Sequence, residues 1–253
     1  MNTETNASLK NLLLTTPDNG IVCAPFLVKN GFSHDQLKQY VRNGYLDDVG
    51  RGAYCKHGHT PPLAAALNAA VTQLKSSIHL GGWSALAHHG ILHFLPLADH
   101  AMSLYADSNM RLPAWMVHAF KNQYICKHTN FLPEKLAIQD ELLDGFSVPI
   151  STPERAILEY LYSVPDEHPL SEAYQILEMM LNMRPTILQE LLENCNSIKA
   201  KRLFFLLAED LNPSWYEDLS PGRINFGSGN RVIDEGGSFH RKWLLTVKDW
   251  RTV

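Results

Sequence analysis

Between residues 36 and 56 the chain sets out Gln36, Lys38, Gln39, Arg42, Asn43, Arg51 and Lys56. An amide side chain presents a donor and an acceptor side by side, the pair that adenine shows on its major-groove edge, and lysine and arginine carry charge that complements phosphate. Amides flanked by cations are what a helix lying in a DNA major groove needs, with an arginine on a neighbouring hairpin adding a backbone or minor-groove contact. A solvated polar face uses the same residue types, so the elements that would carry these side chains decide between the two.

Those elements are legible in the stretch GFSHDQLKQYVRNGYLDDVGRGAYCK, Gly31 to Lys56. Ser33 has the character of an N-cap with Gln36 three residues on, the spacing of a capping box, and Asp35 places negative charge where the helix dipole favours it. A helix is therefore expected from His34. Leu37, Tyr40 and Val41 fall at i, i+3 and i+4 and make one buried stripe, leaving Gln36, Lys38, Gln39, Arg42 and Asn43 outward until Gly44 supplies the stop. Gly50-Arg51-Gly52 can then turn a hairpin between Tyr45–Val49 and Ala53–Lys56, with Arg51 at or near its tip. Upstream, Ser8–Thr15 is helical in pattern and ends at the turn-forming Pro17-Asp18-Asn19-Gly20. A second short helix is expected from Pro25 to Asn30. Three helices and a hairpin in this order describe a winged helix-turn-helix, in which two helices frame the third.

The remainder is longer and mixed. His57–Pro62 has linker composition, so domains of 1–60 and 61–253 are expected, the second α+β. It begins with the alanine-rich helix LAAALNAAVTQLK. A β-like run at Ile78–Leu80 and a helix in GGWSALAHHG follow, then strands at Met102–Ala106 and Gln123–His128 and a hairpin turning at Asp144-Gly145. Ser151-Thr152-Pro153-Glu154 starts a helix by its cap, first-turn proline and first-turn acid. Further helices are expected over Ser171–Met183, Pro185–Asn194 and Ser197–Leu211, and strands over Arg223–Phe226, Arg231–Ile233 and Trp243–Val247.

Composition narrows the function classes. With 45% apolar and 19% charged residues the 253-residue chain has the balance of a water-soluble globular protein. No apolar run approaches the roughly 20 residues of a membrane span, and MNTETNASLK lacks the basic start and apolar core of a secretory signal, so a cytoplasmic location is expected. Cys23, Cys55, Cys126 and Cys195 form no C-x-x-C pair and read as buried free thiols. The net charge of −4 is unevenly spread: residues 1–60 carry 6 basic and 5 acidic side chains, residues 61–220 carry 10 and 18, and residues 221–253 carry 6 and 3. A surplus of one positive charge in the N-terminal part is modest for a DNA-binding module. Affinity should then rest on a few well-placed cations or on more than one copy of the site.

Enzymatic patterns are weaker. Histidines at 79, 88, 89, 93 and 100 include an i, i+4 pair, His89 and His93, but Gly90 interrupts that helix and no glutamate stands in an H-E-x-x-H position, so no metal is expected. Gly227-Ser228 followed by Asp234-Glu235 resembles the glycine-serine and paired-carboxylate pattern of nucleotidyltransferases, yet the carboxylates come too soon after the serine, and a tight turn between strands is the better account. No Glu-x-Lys of the restriction-nuclease kind occurs. No catalytic residue and no cofactor is expected.

The segments GRGAY, IHLGGWSALAHHGILHFLP, LPAWM, ISTPERAILEYL, KRLFFLLAE and GSGNRVIDEGG occur in an order that resembles the AbiEi family of antitoxins, over nearly the whole chain. The resemblance implies a transcriptional regulator of a bacterial type IV toxin-antitoxin system, of the phage abortive-infection kind. Its winged helix would bind inverted repeats in double-stranded promoter DNA, and its larger domain would counteract a nucleotidyltransferase-like toxin without a stable complex. It places Gln36, Lys38, Gln39, Arg42 and Arg51 at DNA-reading positions and makes Arg231 the arginine of the GSG-x-R segment, with Asn230 where lysine is expected. Arg223, Arg231, Arg241 and Lys242 are the candidates for the antitoxin activity. Two other readings compete: a nucleotide- or RNA-acting enzyme targeted by a winged helix, and an interaction protein whose winged helix docks a protein. The missing spaced carboxylates disfavour the first, and the outward cations disfavour the second.

Overall fold

The computed structural model describes residues 8–92 and 101–251. The histidines at 93 and 100 lie outside them. In chain order the elements are α1 (Leu9–Thr15), β1 (Val22–Cys23), α2 (Ala24–Lys29), α3 (His34–Arg42), β2 (Leu46–Gly50), β3 (Ala53–Lys56), α4 (Leu63–Leu74), β4 (Ile78–Leu80), α5 (Gly82–His88), β5 (Met102–Ala106), α6 (Ala114–Ala119) and β6 (Tyr124–His128). There follow β7 (Ile138–Leu143), β8 (Phe146–Ser151), α7 (Pro153–Tyr162), α8 (Leu170–Met179), α9 (Pro185–Asn194), α10 (Ile198–Leu211), β9 (Arg231–Val232), β10 (Ser238–His240) and β11 (Leu245–Val247). The sheets have strand orders β1-β3-β2, β6-β5-β4-β8-β7 and β10-β11-β9. The fold is α+β. No helix of the described residues is long and apolar enough to cross a membrane.

Two compact units are present. The first takes Met1–His79, Asn109–Ile125 and Asp140–Pro149. Its N-terminal core joins Leu12 of α1, Val22, Ala24 and Leu27, Phe32, Leu37 of α3 and Leu46 of β2, with Leu13, Tyr40, Val41 and Tyr54 packed at its margin. Helices this short are not stable alone, so burial of one apolar stripe from each is what holds them. Ser33 caps α3 as its spacing requires: Gln36 N–H donates to Ser33 Oγ at 3.1 Å and Ser33 N–H to Gln36 Oε1 at 2.7 Å. Behind the helices, the Gln73 amide of α4 accepts from Cys23 N–H at 2.8 Å and donates to Ile21 O at 2.7 Å, tying β1 to α4.

The second unit takes Leu80–Ser108, Cys126–Gln139 and Ile150–Val253. Its centre is α7, whose Ala156, Ile157, Leu158 and Leu161 are buried. Apolar packing is pierced there by a polar network. The Glu159 carboxylate, fully buried, accepts from Gly82 N–H at 2.9 Å, Ser151 Oγ at 2.9 Å and Arg155 Nε at 2.7 Å. Arg155 spends Nη1 on the carbonyls of Pro133 and Leu136 at 2.6 and 2.8 Å. A buried carboxylate is tolerable only when its lone pairs are filled in this way. The glycine at 81 is required by the same packing, since a Cβ there would collide with Glu159 Oε2 and come within 2.6 Å of Tyr105 Cδ2.

Several expectations change. Arg223–Phe226 is not a strand: Pro221–Arg223 forms a 3-10 turn, and Asn225 Oδ1 accepts from Gly227 N–H instead of leaving the backbone for a ladder. The third strand of the last sheet is Ser238–His240, and α6 and β1 were not foreseen. Cys23, Cys55 and Cys195 are buried free thiols as expected, whereas Cys126 is only half-buried. Burial alone raises the Cys23 and Cys126 thiols to about 12.

Candidate nucleic-acid interface

Leu37, wholly buried, fixes the rotation of α3 about its axis, and Tyr40 sits edge-on to both Phe32 and Tyr45 at 6.5 Å between ring centres. With that face committed, His34, Lys38, Gln39, Arg42 and Asn43 are exposed on the other. Lys38 reaches Asp35 at 3.4 Å, but both side chains remain solvated, at 71% and 94% exposure, a pair weak enough to be exchanged for a phosphate. Among the described residues no hydrogen bond or ion pair holds the side chains of Gln39, Arg42, Asn43 or Arg51.

Gln36 and Lys56 are placed differently. Gln36 is half-buried and its Oε1 accepts from Ser33 N–H, which ties its amide to the start of α3. Lys56 is 20% exposed and bound to Asp18 at 2.8 Å, where its ammonium holds the Asp18 carboxyl below the usual carboxylate range. His34 is exposed on the same face as Lys38 and carries no signal in the sequence pattern beyond its place after the capping serine. It is the first residue of α3, one helical turn from Lys38.

The hairpin is a short wing. Gly50 pairs with Ala53, which leaves Arg51-Gly52 as a two-residue loop with Gly52 at φ 87° and Arg51 exposed at the tip. Asp48 Oδ1 accepts from Gly50 N–H at 2.9 Å across a bulge in β2. Next to its tip the wing packs on α6: a Cβ at Gly50 would stand 3.0 Å from Trp115 Cβ and 3.2 Å from its Cα, so a larger residue fits only if Trp115 gives way. Trp115 is thus a positioning residue for the wing, and nothing in its local sequence announced that.

The basic residues at the other end of the chain are partly consumed. Arg223 is paired with Glu193 at 2.9 Å, and Lys242 with Glu209, which also accepts from Trp243 Nε1 at 2.7 Å. Arg231 and Arg241 are exposed and make no side-chain hydrogen bond or ion pair among the described residues. Beneath the glycine loop, buried Arg202 donates to the carbonyls of Phe226, Gly227, Gly229 and Leu244 at 2.8–3.3 Å. Gly227-Ser228-Gly229 is therefore an arginine-clamped turn. His89 Nε2 lies 2.8 Å from Ser151 O, and no group of three His, Cys, Asp or Glu able to hold a metal occurs among the described residues.

Comparison with known proteins places this geometry. No curated protein matches the chain. The crystal structure of the RV2827C protein from Mycobacterium tuberculosis is similar over 97% of this chain and 91% of that one, with a TM-score of 0.63 at 15% identity, a likeness of fold. Residues 5–97 match the family model of the transcriptional regulator AbiEi antitoxin N-terminal domain, and residues 99–248 match that of the transcriptional regulator, AbiEi antitoxin, type IV toxin-antitoxin system. The chain belongs to the AbiEi family of type IV antitoxin transcriptional regulators.

Proposed function

We propose that this regulator is a DNA-binding autorepressor that reads inverted repeats in its own promoter with α3 and the wing. The supporting observation is the outward row of Lys38, Gln39, Arg42 and Asn43 on a helix whose other face is buried, with Arg51 at the tip of the adjoining hairpin. In this reading Gln39 and Asn43 meet base edges, and Lys38, Arg42 and Arg51 meet phosphate. Gln36 sets the helix start, and Lys56 braces the wing through Asp18. The DNA-reading part is residues 1–60 and the antitoxin part residues 61–253, both acting in the cytoplasm.

The larger part opposes a nucleotidyltransferase-like toxin without a lasting complex. Arg231 and Arg241 are its first candidate contacts, because Arg223 and Lys242 already hold carboxylates. Two experiments test the proposal. Footprinting on the chain's own promoter should show protection repeated on each arm of an inverted repeat, and an unprotected promoter would refute autorepression. Co-expression with the cognate toxin should restore growth and lose that effect in Arg231→Ala/Arg241→Ala. Undiminished rescue by the double variant would remove those residues from the antitoxin role.

A further inference from the structure

A cavity of about 490 Å³ opens in the first unit between α1, α2 and α4, closed on one side by Phe146. Its floor is apolar, formed by Leu12, Ile21, Val22, Leu27 and Phe32. Among the described residues no ionisable side chain lines it. The polar side chains at its rim have spent donors on the protein itself. Thr15, Thr16 and Thr72 hydroxyls donate to the carbonyls of Asn11, Leu12 and Asn68 at 2.7, 2.7 and 2.6 Å. Asn30 and Asn68 each give an N–H to a carbonyl, of Phe26 and Ser147, both at 2.8 Å. What stays open is mixed: among the described residues the Oδ1 atoms of Asn30 and Asn68 receive no hydrogen bond and each amide keeps a second N–H, while the hydroxyls, their protons spent, keep lone pairs.

We propose that this cavity is an effector site for a neutral, mainly apolar small molecule bearing an N–H or O–H donor, and that its occupancy stiffens α3. Among the described lining residues an anion would find no cation to offset its desolvation, and a cation would find no carboxylate. A concave apolar wall with a few convergent polar atoms is the ordinary form of a small-molecule site. The link to α3 is direct packing: Leu12, Val22, Leu27 and Phe32 line the cavity and also form the core against which Leu37 is buried, and Phe32 touches Tyr40. A molecule seated on those four side chains restrains the support of α3. Its consequence for promoter binding rests on the proposed DNA-reading role of that helix; binding of the molecule does not.

The test uses the full chain and a neutral fluorescent diarylamine, N-phenyl-1-naphthylamine, which carries an apolar body and a single N–H. Saturable binding with one site per chain is expected, with 1-naphthol displacing the probe and 1-naphthalenesulfonate failing to. Thr72→Trp on α4 and Asn30→Trp at the end of α2 put a large side chain at two different lining positions, so at least one folded variant should bind about tenfold or more weakly, a change of roughly 1.4 kcal/mol. Leu14→Ser, which removes an apolar side chain exposed on α1 outside the cavity, should bind as the wild type does. Amide hydrogen exchange across His34–Arg42 should slow when the probe saturates, a readout that needs no DNA. Absent or unsaturable binding, equal binding by the tryptophan variants, displacement by the sulfonate, or exchange in α3 unaltered by the probe would each overturn the proposal.

Discussion

Lys56 and Arg51 stand on the same hairpin and differ in what already holds them. Asp18 has claimed the lysine, whereas the arginine projects from a two-residue loop with no carboxylate of the described residues upon it. Residue type alone made them equal candidates, because an ion pair between positions 38 residues apart leaves no mark in a local pattern. The same limit hid Glu159, whose partners are spread from Gly82 to Arg155, although the STPERA segment that supplies two of them was conspicuous as a helix start. Two outcomes are expected at this scale. Gln39→Ala should relax base preference at one position per half-site by about 1–3 kcal/mol, read by binding-site selection; an unaltered consensus would remove Gln39 from the readers. Gly81→Ala should lower thermal stability by about 1–3 kcal/mol or more, since its Cβ meets a buried carboxylate and the Tyr105 ring. An unchanged melting temperature would contradict that packing.

Elements with local causes were legible at their boundaries. Ser33 with Gln36, Pro153 in the first turn, and Asp144-Gly145 each fix an end by their own chemistry, and α3, α7 and the β7–β8 hairpin begin or turn there, although Thr152 gives α7 no side-chain cap and the expected cap is absent. Elements that depend on a distant partner were not. Val22–Cys23 is a strand because it pairs with Ala53 and Tyr54, and Arg223–Phe226 joins none of the three sheets of the described residues. The glycine loop after it looked like a simple turn, and its support is a buried arginine of α10. Arg202→Met should therefore loosen residues 226–229 and cost about 3 kcal/mol, by the loss of several charge-assisted hydrogen bonds. Faster hydrogen exchange confined to that loop and to β9 and β11 would show it; exchange at the wild-type rate would not be compatible with the clamp.

For the molecule as a whole, the α+β class and the winged helix-turn-helix followed from periodicity and order, while the make-up of the first unit did not. Residues 109–125 and 140–149 join it from far along the chain, and Trp115 braces the wing from there. Acid should expose the second unit through Glu154. Burial opposes its ionisation, but the backbone N–H and guanidinium of Arg184 outweigh it and draw the carboxyl from its ordinary value near 4.5 to about 2. The folded value lies below the unfolded one, so the contribution, on the order of 3 kcal/mol, is complete above pH 4.5 and fades as pH falls toward 2. Glu154→Gln should be less stable at neutral pH and lose less stability through that window; parallel curves for the two proteins would contradict this. The central claim is that α3 and the wing hold DNA through a small number of unspent cations. A salt titration of promoter binding by the wild type, Arg42→Ala and Arg51→Ala tests it most directly. Each substitution should weaken binding and lower the slope of log K against log salt by about 0.9, the loss of one phosphate contact. Wild-type affinities and slopes in both variants would contradict the account.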